Sequence, residues 1–200
     1  MVNIQELINL MNFKKPTIIS PYAYELEKTD SDIHSIKDFN TIISFIDKKH
    51  NFGRTLDIGE TNHLSKKLSS YYKINIDQTN IDLDVGELTG EYDTIFCFEI
   101  IEHLFNPLHI LLQINKVLDD NGTLFLSTPK RRPHFMWYKY HFHEFSNAEL
   151  TNLFTRSEFQ VIKKEYKMSG RPLVNYLKGF RPFLRLFLER KCLVKLSKII

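Results

Sequence analysis

The sequence predicts an α/β fold built on a doubly wound, mostly parallel sheet, with helices on both faces. Two observations carry that reading. Segments with apolar residues at helical spacing alternate with short apolar runs through the middle of the chain. The short runs are almost continuously apolar, as strands covered on both faces must be. At 200 residues and 42% hydrophobic content, one domain with a substantial core is expected.

Residues 1–30 read as an N-terminal extension, and residues 31–200 as a single domain. From Ser31, Ile33, Ile36, Phe39, Ile43 and Ile46 recur at helical spacing, with Ser31 or Asp32 available as a cap. "RTLDIG" then reads as a buried strand, "NHLSKKLSSYY" as a helix and "INID" as a second strand. "YDTIFCFEI" is the strongest strand signal, entered from the turn-like "LTGEYD". The helix "PLHILLQINKVLDDNG" is expected to stop at Asn121-Gly122, and "TLFLSTP" is a further strand ended by Pro129. Ser146 followed by Glu149 makes a capping box for the helix of "SNAELTNLFTRSEF". "QVIKKEYKM" alternates as a strand does, and "CLVKLSKI" reads as a last strand.

Charge is unevenly placed. The total is +3, yet residues 170–200 hold eight Lys or Arg against the single acid Glu189, so the rest of the chain carries a net −4. That division does not suit a uniformly basic nucleic-acid binder, and no nucleic-acid partner is expected. The basic, apolar C-terminal segment suits a packed helix and strand, with peripheral contact to an anionic membrane surface through residues 178–185. Cys97 and Cys192 show no metal-like or redox pairing and are read as thiols in a reducing cytosol. The N-terminus lacks the pattern of a secretory signal, so a soluble, cytoplasmic protein is expected.

In such sheets, ligands sit beyond the carboxyl ends of the strands, near the point where the strand order reverses. The residues to inspect therefore follow the strands. Gly59 turns the chain after the first, and a helix N-terminus there favours anionic groups. Asp77 lies 18 residues further on, where an acid can accept hydrogen bonds from ribose hydroxyls. Residues 98–103 follow the strongest strand. His103 there is the first candidate base, since an imidazole can exchange protons near neutrality, and His141, His143 and Glu144 in "YHFHEF" are the second candidate group. Sequence spacing argues against a metal site: "EIIEH" has Glu99 where a zinc motif has histidine, and His141 and His143 are only two apart.

The stretch "YDTIFCFEIIEHLFNPLHILLQINKVLDDNGTLFLSTP" resembles the middle of class I S-adenosylmethionine-dependent methyltransferases. It is most similar to the small-molecule branch that includes ubiquinone-biosynthesis methyltransferases. Glu99, Glu102 and His103 match that family's Glu-x-x-Glu-His segment, and the resemblance covers residues 39–167. It implies a Rossmann-like sheet with "CLVKLSKI" as an antiparallel last strand beside "QVIKKEYKM", S-adenosylmethionine as methyl donor and a small-molecule or lipid- or sugar-linked acceptor. "LDIGETNHL" occupies the family's glycine motif: Asp57 and Gly59 match, while Thr61 and His63 replace later glycines. By resemblance, Asp57, Gly59, Thr61, Asp77, Asp82, Leu83, Phe98 and Glu99 would bind the cofactor, with Leu83 as an apolar wall for adenine. His103 and His143 are the catalytic candidates, and the aromatic "PHFMWYKYHF" is expected to form a lid or acceptor wall over the cleft. "QTNIDLDVGELTGEYD" is too short for a full helical crossover, so a shortened third strand is expected around residues 81–84.

Two further function classes stand beside the methyltransferase. A catalytically silent binding or scaffold protein of the same fold is compatible with the reduced glycine motif. A nicotinamide dehydrogenase is disfavoured, because G-x-G-x-x-G is absent. The sequence leaves the oligomeric state open.

Overall fold

The structure is a computed structural model that describes residues 31–138, 140–168 and 188–199, with side chains from residue 38 onward. Its elements are α1 (Ser31–Phe45), β1 (Thr55–Asp57), α2 (His63–Tyr72), β2 (Ile76–Gln78), β3 (Tyr92–Phe98), α3 (Pro107–Val117), β4 (Leu118–Pro129), α4 (Asn147–Arg156), β5 (Phe159–Met168) and β6 (Arg190–Lys198). The strands form one sheet in the order β2-β1-β3-β4-β6-β5. β2, β1, β3 and β4 run parallel, while β6 is antiparallel to both β4 and β5.

Side-chain alternation along the strands divides the core into two layers. Phe96, Phe98 and Phe125 face Ile42 and Phe45 of α1, Ile46 just beyond it, and Leu68 of α2. Ile95, Cys97, Leu124 and Leu126 face Ile110, Leu111 and Ile114 of α3 and Leu150 and Phe154 of α4. Helices therefore cover both faces, as the continuous apolar strands require. The order reverses between β1 and β3, so the crevice of a doubly wound sheet opens at the carboxyl ends of these two strands.

Two expectations about elements are corrected. Residues 81–85 form a turn rather than a shortened third strand, leaving β2 at the sheet edge. Asp82 closes that turn: its backbone oxygen accepts from Gly86 at 2.7 Å and its carboxylate from the Asp84 amide at 3.0 Å. Asp84 in turn accepts from the Asn106 amide at 2.7 Å, which fastens the turn to the start of α3 instead of to the sheet.

The second correction concerns α3, which ends at Val117 rather than at Asn121-Gly122. Leu118 is already extended, with ψ 138°, and pairs with Tyr92. The register then jumps, because Thr94 pairs with Thr123. Residues 119–122 absorb the excess as an irregularity, with the Asn121 amide donating to Asp119 at 2.8 Å. The Asn-Gly pair thus marks a break inside a strand.

The N-terminal extension, residues 1–30, and the proposed membrane-contact segment, 178–185, lie outside the described residues. Among the described residues, no helix is long and apolar enough to cross a membrane.

Candidate functional site

The Gly59 turn is held from below. Gly59 adopts φ +105°, a conformation that side chains resist, and an added Cβ would meet only Ile100 Cδ1, at 3.6 Å. Open space therefore remains above its backbone, and residue 100 borders it. Its N–H, however, donates to the Thr79 hydroxyl at 2.6 Å, and its carbonyl accepts from the Thr79 amide at 3.2 Å. Thr79, which sequence reasoning missed, performs the inward anchoring of this loop. Thr61 is exposed just before the α2 N-cap Asn62, whose side chain accepts from Leu64 and Ser65. Asp57 is buried at the end of β1, and desolvation raises its pKa to about 8.

The expected ribose and adenine residues are arranged differently from one another. Asp77 is the middle residue of β2, half exposed, and pairs with Arg54 at 3.3 Å. Asp82 is exposed in its turn, whereas Leu83 packs against the α3 core layer. Phe98 is 7% exposed and stacks on Phe96 at 5.3 Å, so it belongs to the floor beneath the crevice.

Beyond β3 the chain turns abruptly. Glu99 has φ +55°, a conformation uncommon for a side-chain-bearing residue. Two bonds to β4 hold it there: its amide donates to the Ser127 carbonyl at 3.0 Å, and the Ser127 hydroxyl donates to its carboxylate at 2.7 Å. The turn points the next residues into a single 3-10 turn, Ile101–His103. Glu102 is 1% exposed; Thr128 donates to its Oε2 at 3.1 Å, while Oε1 has no hydrogen-bond partner. Burial, reinforced by the Glu99 charge, raises the Glu102 pKa well above the carboxylate range.

A buried cation that sequence reasoning missed lies beside these acids. Lys191 enters at the start of β6, the end that antiparallel pairing brings to the carboxyl edge of β4. Its ammonium is 2.9 Å from Asp38 of α1 and 3.7 Å from Glu99. Burial by itself would lower its pKa, but Glu99 and Asp38 outweigh that and raise it. No periodicity flagged Lys191, because in sequence it looked like one more cation of the basic C-terminal segment.

The described residues between 130 and 145 then fold back over Glu102. The Glu102 carbonyl accepts from the amides of Phe142 and His143, at 2.9 and 3.2 Å. This places the His141 ring edge-on against His103, with centroids 4.8 Å apart. His103 Nδ1 meets the Tyr140 carbonyl at 3.1 Å. Burial, then the neighbouring His141, lowers the His103 pKa to about 4, making it a weak base that stays neutral at physiological pH. Glu102, His103 and His141 each offer a ligand atom within 4.8 Å of the others. Chain spacing had argued against a metal site; a fold that brings residue 141 onto residue 103 supplies a candidate one.

His143 does not join that cluster. It stacks on Phe145 at 5.2 Å and borders a cavity of about 160 Å³ with Arg131, Trp137 and Glu149. Its Nε2 is buried with no hydrogen-bond partner. Phe105 and Phe142 pair at 3.9 Å and remain exposed beside the cluster.

Comparison with known proteins agrees with this architecture. The sequence profile of the family described as "Methyltransferase domain" matches residues 22–164, well over half of the chain. The ubiquinone biosynthesis O-methyltransferase of Xanthomonas campestris pv. campestris (strain B100) is 33% identical over 66 residues, 33% of this chain and 28% of that protein. The protein of the same name from Dechloromonas aromatica (strain RCB) is 27% identical over 66 residues, again 33% and 28% of the two chains. The matched part thus spans under a third of these relatives. In fold, the chain is similar to an S-adenosylmethionine-dependent methyltransferase from Mesorhizobium loti, with TM-score 0.59 and 10% identity over 81% of this chain and 98% of that one. One from Clostridium acetobutylicum ATCC 824 gives TM-score 0.53 and 9% identity over 88% and 97%. With its reversed strand order, antiparallel β6 and matching profile, the chain belongs to the methyltransferase-domain family and has the fold of class I S-adenosylmethionine-dependent methyltransferases.

Proposed function

We propose that this protein transfers the methyl group of S-adenosylmethionine to a hydroxyl of a small-molecule or lipid- or sugar-linked acceptor. In this reading Glu102, His103 and His141 hold a divalent cation that orients the acceptor oxygen. The observation that carries it is the orphaned, buried Glu102 oxygen facing two imidazoles at the carboxyl end of the sheet. An unpaired buried carboxyl is costly, and a cation is the partner that two neutral imidazoles and one carboxylate fit. The O-methyltransferase relatives support a hydroxyl acceptor.

When bound, S-adenosylmethionine would supply an electrophilic methyl on a good leaving group, so the protein's work is alignment and proton handling. The open space above Gly59 fits a close backbone approach, and the exposed Thr61 beside it can donate a hydroxyl. His103, with a pKa of about 4, is better suited to ligate than to accept the acceptor's proton. Cation binding would displace the proton that burial keeps on Glu102. The exposed Phe105–Phe142 pair suits an apolar or ring-shaped acceptor at the same mouth.

Two observations favour the silent binding or scaffold reading: the Gly59 N–H is already engaged by Thr79, and Asp77 by Arg54. Calorimetric titration with S-adenosylmethionine, followed by labelled methyl transfer to catechol- and phenol-type acceptors with and without Mn²⁺, separates the two. Micromolar donor binding and Mn²⁺-dependent transfer are expected. Absence of donor binding at millimolar concentration would overturn the enzyme reading.

A further inference from the structure

Arg132 and Glu144 form a buried ion pair that the proposed reaction does not itself use. Arg132 is 7% and Glu144 4% exposed. The guanidinium donates through Nε at 3.1 Å and through a terminal nitrogen, and the Arg132 amide donates to the same carboxylate at 3.1 Å. Glu189, leading into β6, lies 3.6 Å from the other terminal nitrogen of Arg132. The pair joins residue 132 to residue 144, and Glu189 ties both to the start of β6. Closure alone does not call for charge: well-packed apolar residues replace buried ion pairs at little or no cost to stability.

The carboxylate also faces His141. Glu144 Oε1 is 3.4 Å from His141 Nδ1, an ion-pair distance whose angle falls short of a full hydrogen bond. Tyr138 packs on the same ring at 5.2 Å and His103 at 4.8 Å, so little rotation is open to it. We infer that Glu144, clamped by Arg132, is a positioning residue for His141, making Nδ1 the protonated nitrogen and leaving the Nε2 lone pair for the cluster with Glu102 and His103. His103 is fixed in the same sense, with Nδ1 at the Tyr140 carbonyl. Outer carboxylates orient metal-ligating imidazoles in this way. Arg132, by occupying the remaining carboxylate lone pairs, prevents Glu144 from turning inward to become a ligand itself.

The inference rests on the cation reading for its purpose but can be measured separately. In the full chain labelled with ¹⁵N-histidine, His141 is expected as the Nδ1–H tautomer. In Glu144→Gln the two tautomers should mix, and Co²⁺ affinity, read from its visible absorption, should fall about 10- to 100-fold. Arg132→Lys, which keeps the charge but not the fork, should give a smaller loss of affinity and leave the tautomer in place. A wild-type Nε2–H tautomer, needing no variant at all, overturns the inference. So does an unchanged tautomer and Co²⁺ affinity in Glu144→Gln. If the tautomer behaves as stated but wild type binds no Co²⁺, the positioning stands and the cation reading fails.

Discussion

At the scale of single residues, the groups that define the crevice are those whose charge the fold has altered. Asp57 is the plainest case. Its folded pKa of about 8 lies above the ordinary 3.8, so the folded state holds a proton that the unfolded chain releases. Its contribution to stability is fully present below pH 3.8, falls as pH rises through this window, and levels above pH 8. The slope is about 1.4 kcal/mol per pH unit at most. Asp57→Asn should remove it, so that urea unfolding at pH 5 and pH 7.5 shows the variant gaining on wild type as pH rises. A constant difference would mean that Asp57 is ionised in the folded protein. Arg132 tests the opposite situation, a buried charge that is paired. Arg132→Ala leaves Glu144 buried without its main partner and should cost about 3–5 kcal/mol. Replacing both residues by apolar ones should cost far less, measured by the same unfolding curves. Motif spacing exposed Glu99, Glu102 and His103, because the family's segment is contiguous. It could not expose Lys191, Thr79 or Arg132, whose roles come from strand register and loop closure rather than from any local pattern.

Elements were legible where a local rule governs them. The Ser146–Glu149 capping box forms as read, with the Ser146 side chain accepting from the Glu149 amide and the Glu149 carboxylate from the Ser146 amide. Ser146→Ala should cost about 1 kcal/mol, seen as a lower midpoint in thermal unfolding. Elements were misread where a tertiary partner overrides the local signal. "DDNG" is a good helix stop, but pairing with Tyr92 pulls Leu118 into the sheet four residues earlier. "IDLD" has the alternation of a strand, yet Asp84 and Gly86 find partners at Asn106 and His109 of α3 and its cap. Gly59 is legible as a turn, and its positive φ makes a direct test. Gly59→Ala should destabilise by about 1–2 kcal/mol through backbone strain alone, since Ile100 leaves room for the methyl group. A larger loss would indicate that the methyl group is clashing.

For the whole molecule, the sheet order matters more than any single contact. The parallel half could be inferred from alternating periodicities, and the antiparallel last strand from the family resemblance. That β6 lies between β4 and β5 brings Lys191 and Glu189 to the crevice. One end of this strand thereby carries both the counter-charge of Glu99 and the second anchor of Arg132. Chelator treatment is the global test of the cation reading. If a divalent ion binds Glu102, His103 and His141, its removal should lower the melting temperature, and re-addition at 100 times the dissociation constant should restore about 2.7 kcal/mol. An unchanged melting curve would count against the cation reading.

The same strand order has a consequence for how the protein is made. β6 leaves the ribosome after both β4 and β5, yet it fills the gap between them. During synthesis β4 therefore presents a bare apolar edge, from Leu124 to Leu126, to whatever else is nearby. The nascent chain cannot complete its sheet vectorially, and long-range pairing of this kind is slow to form. Chaperone occupancy should peak before β6 emerges, and a stop codon introduced before Arg190 should yield insoluble protein even though every motif of the crevice upstream of β6 has been translated.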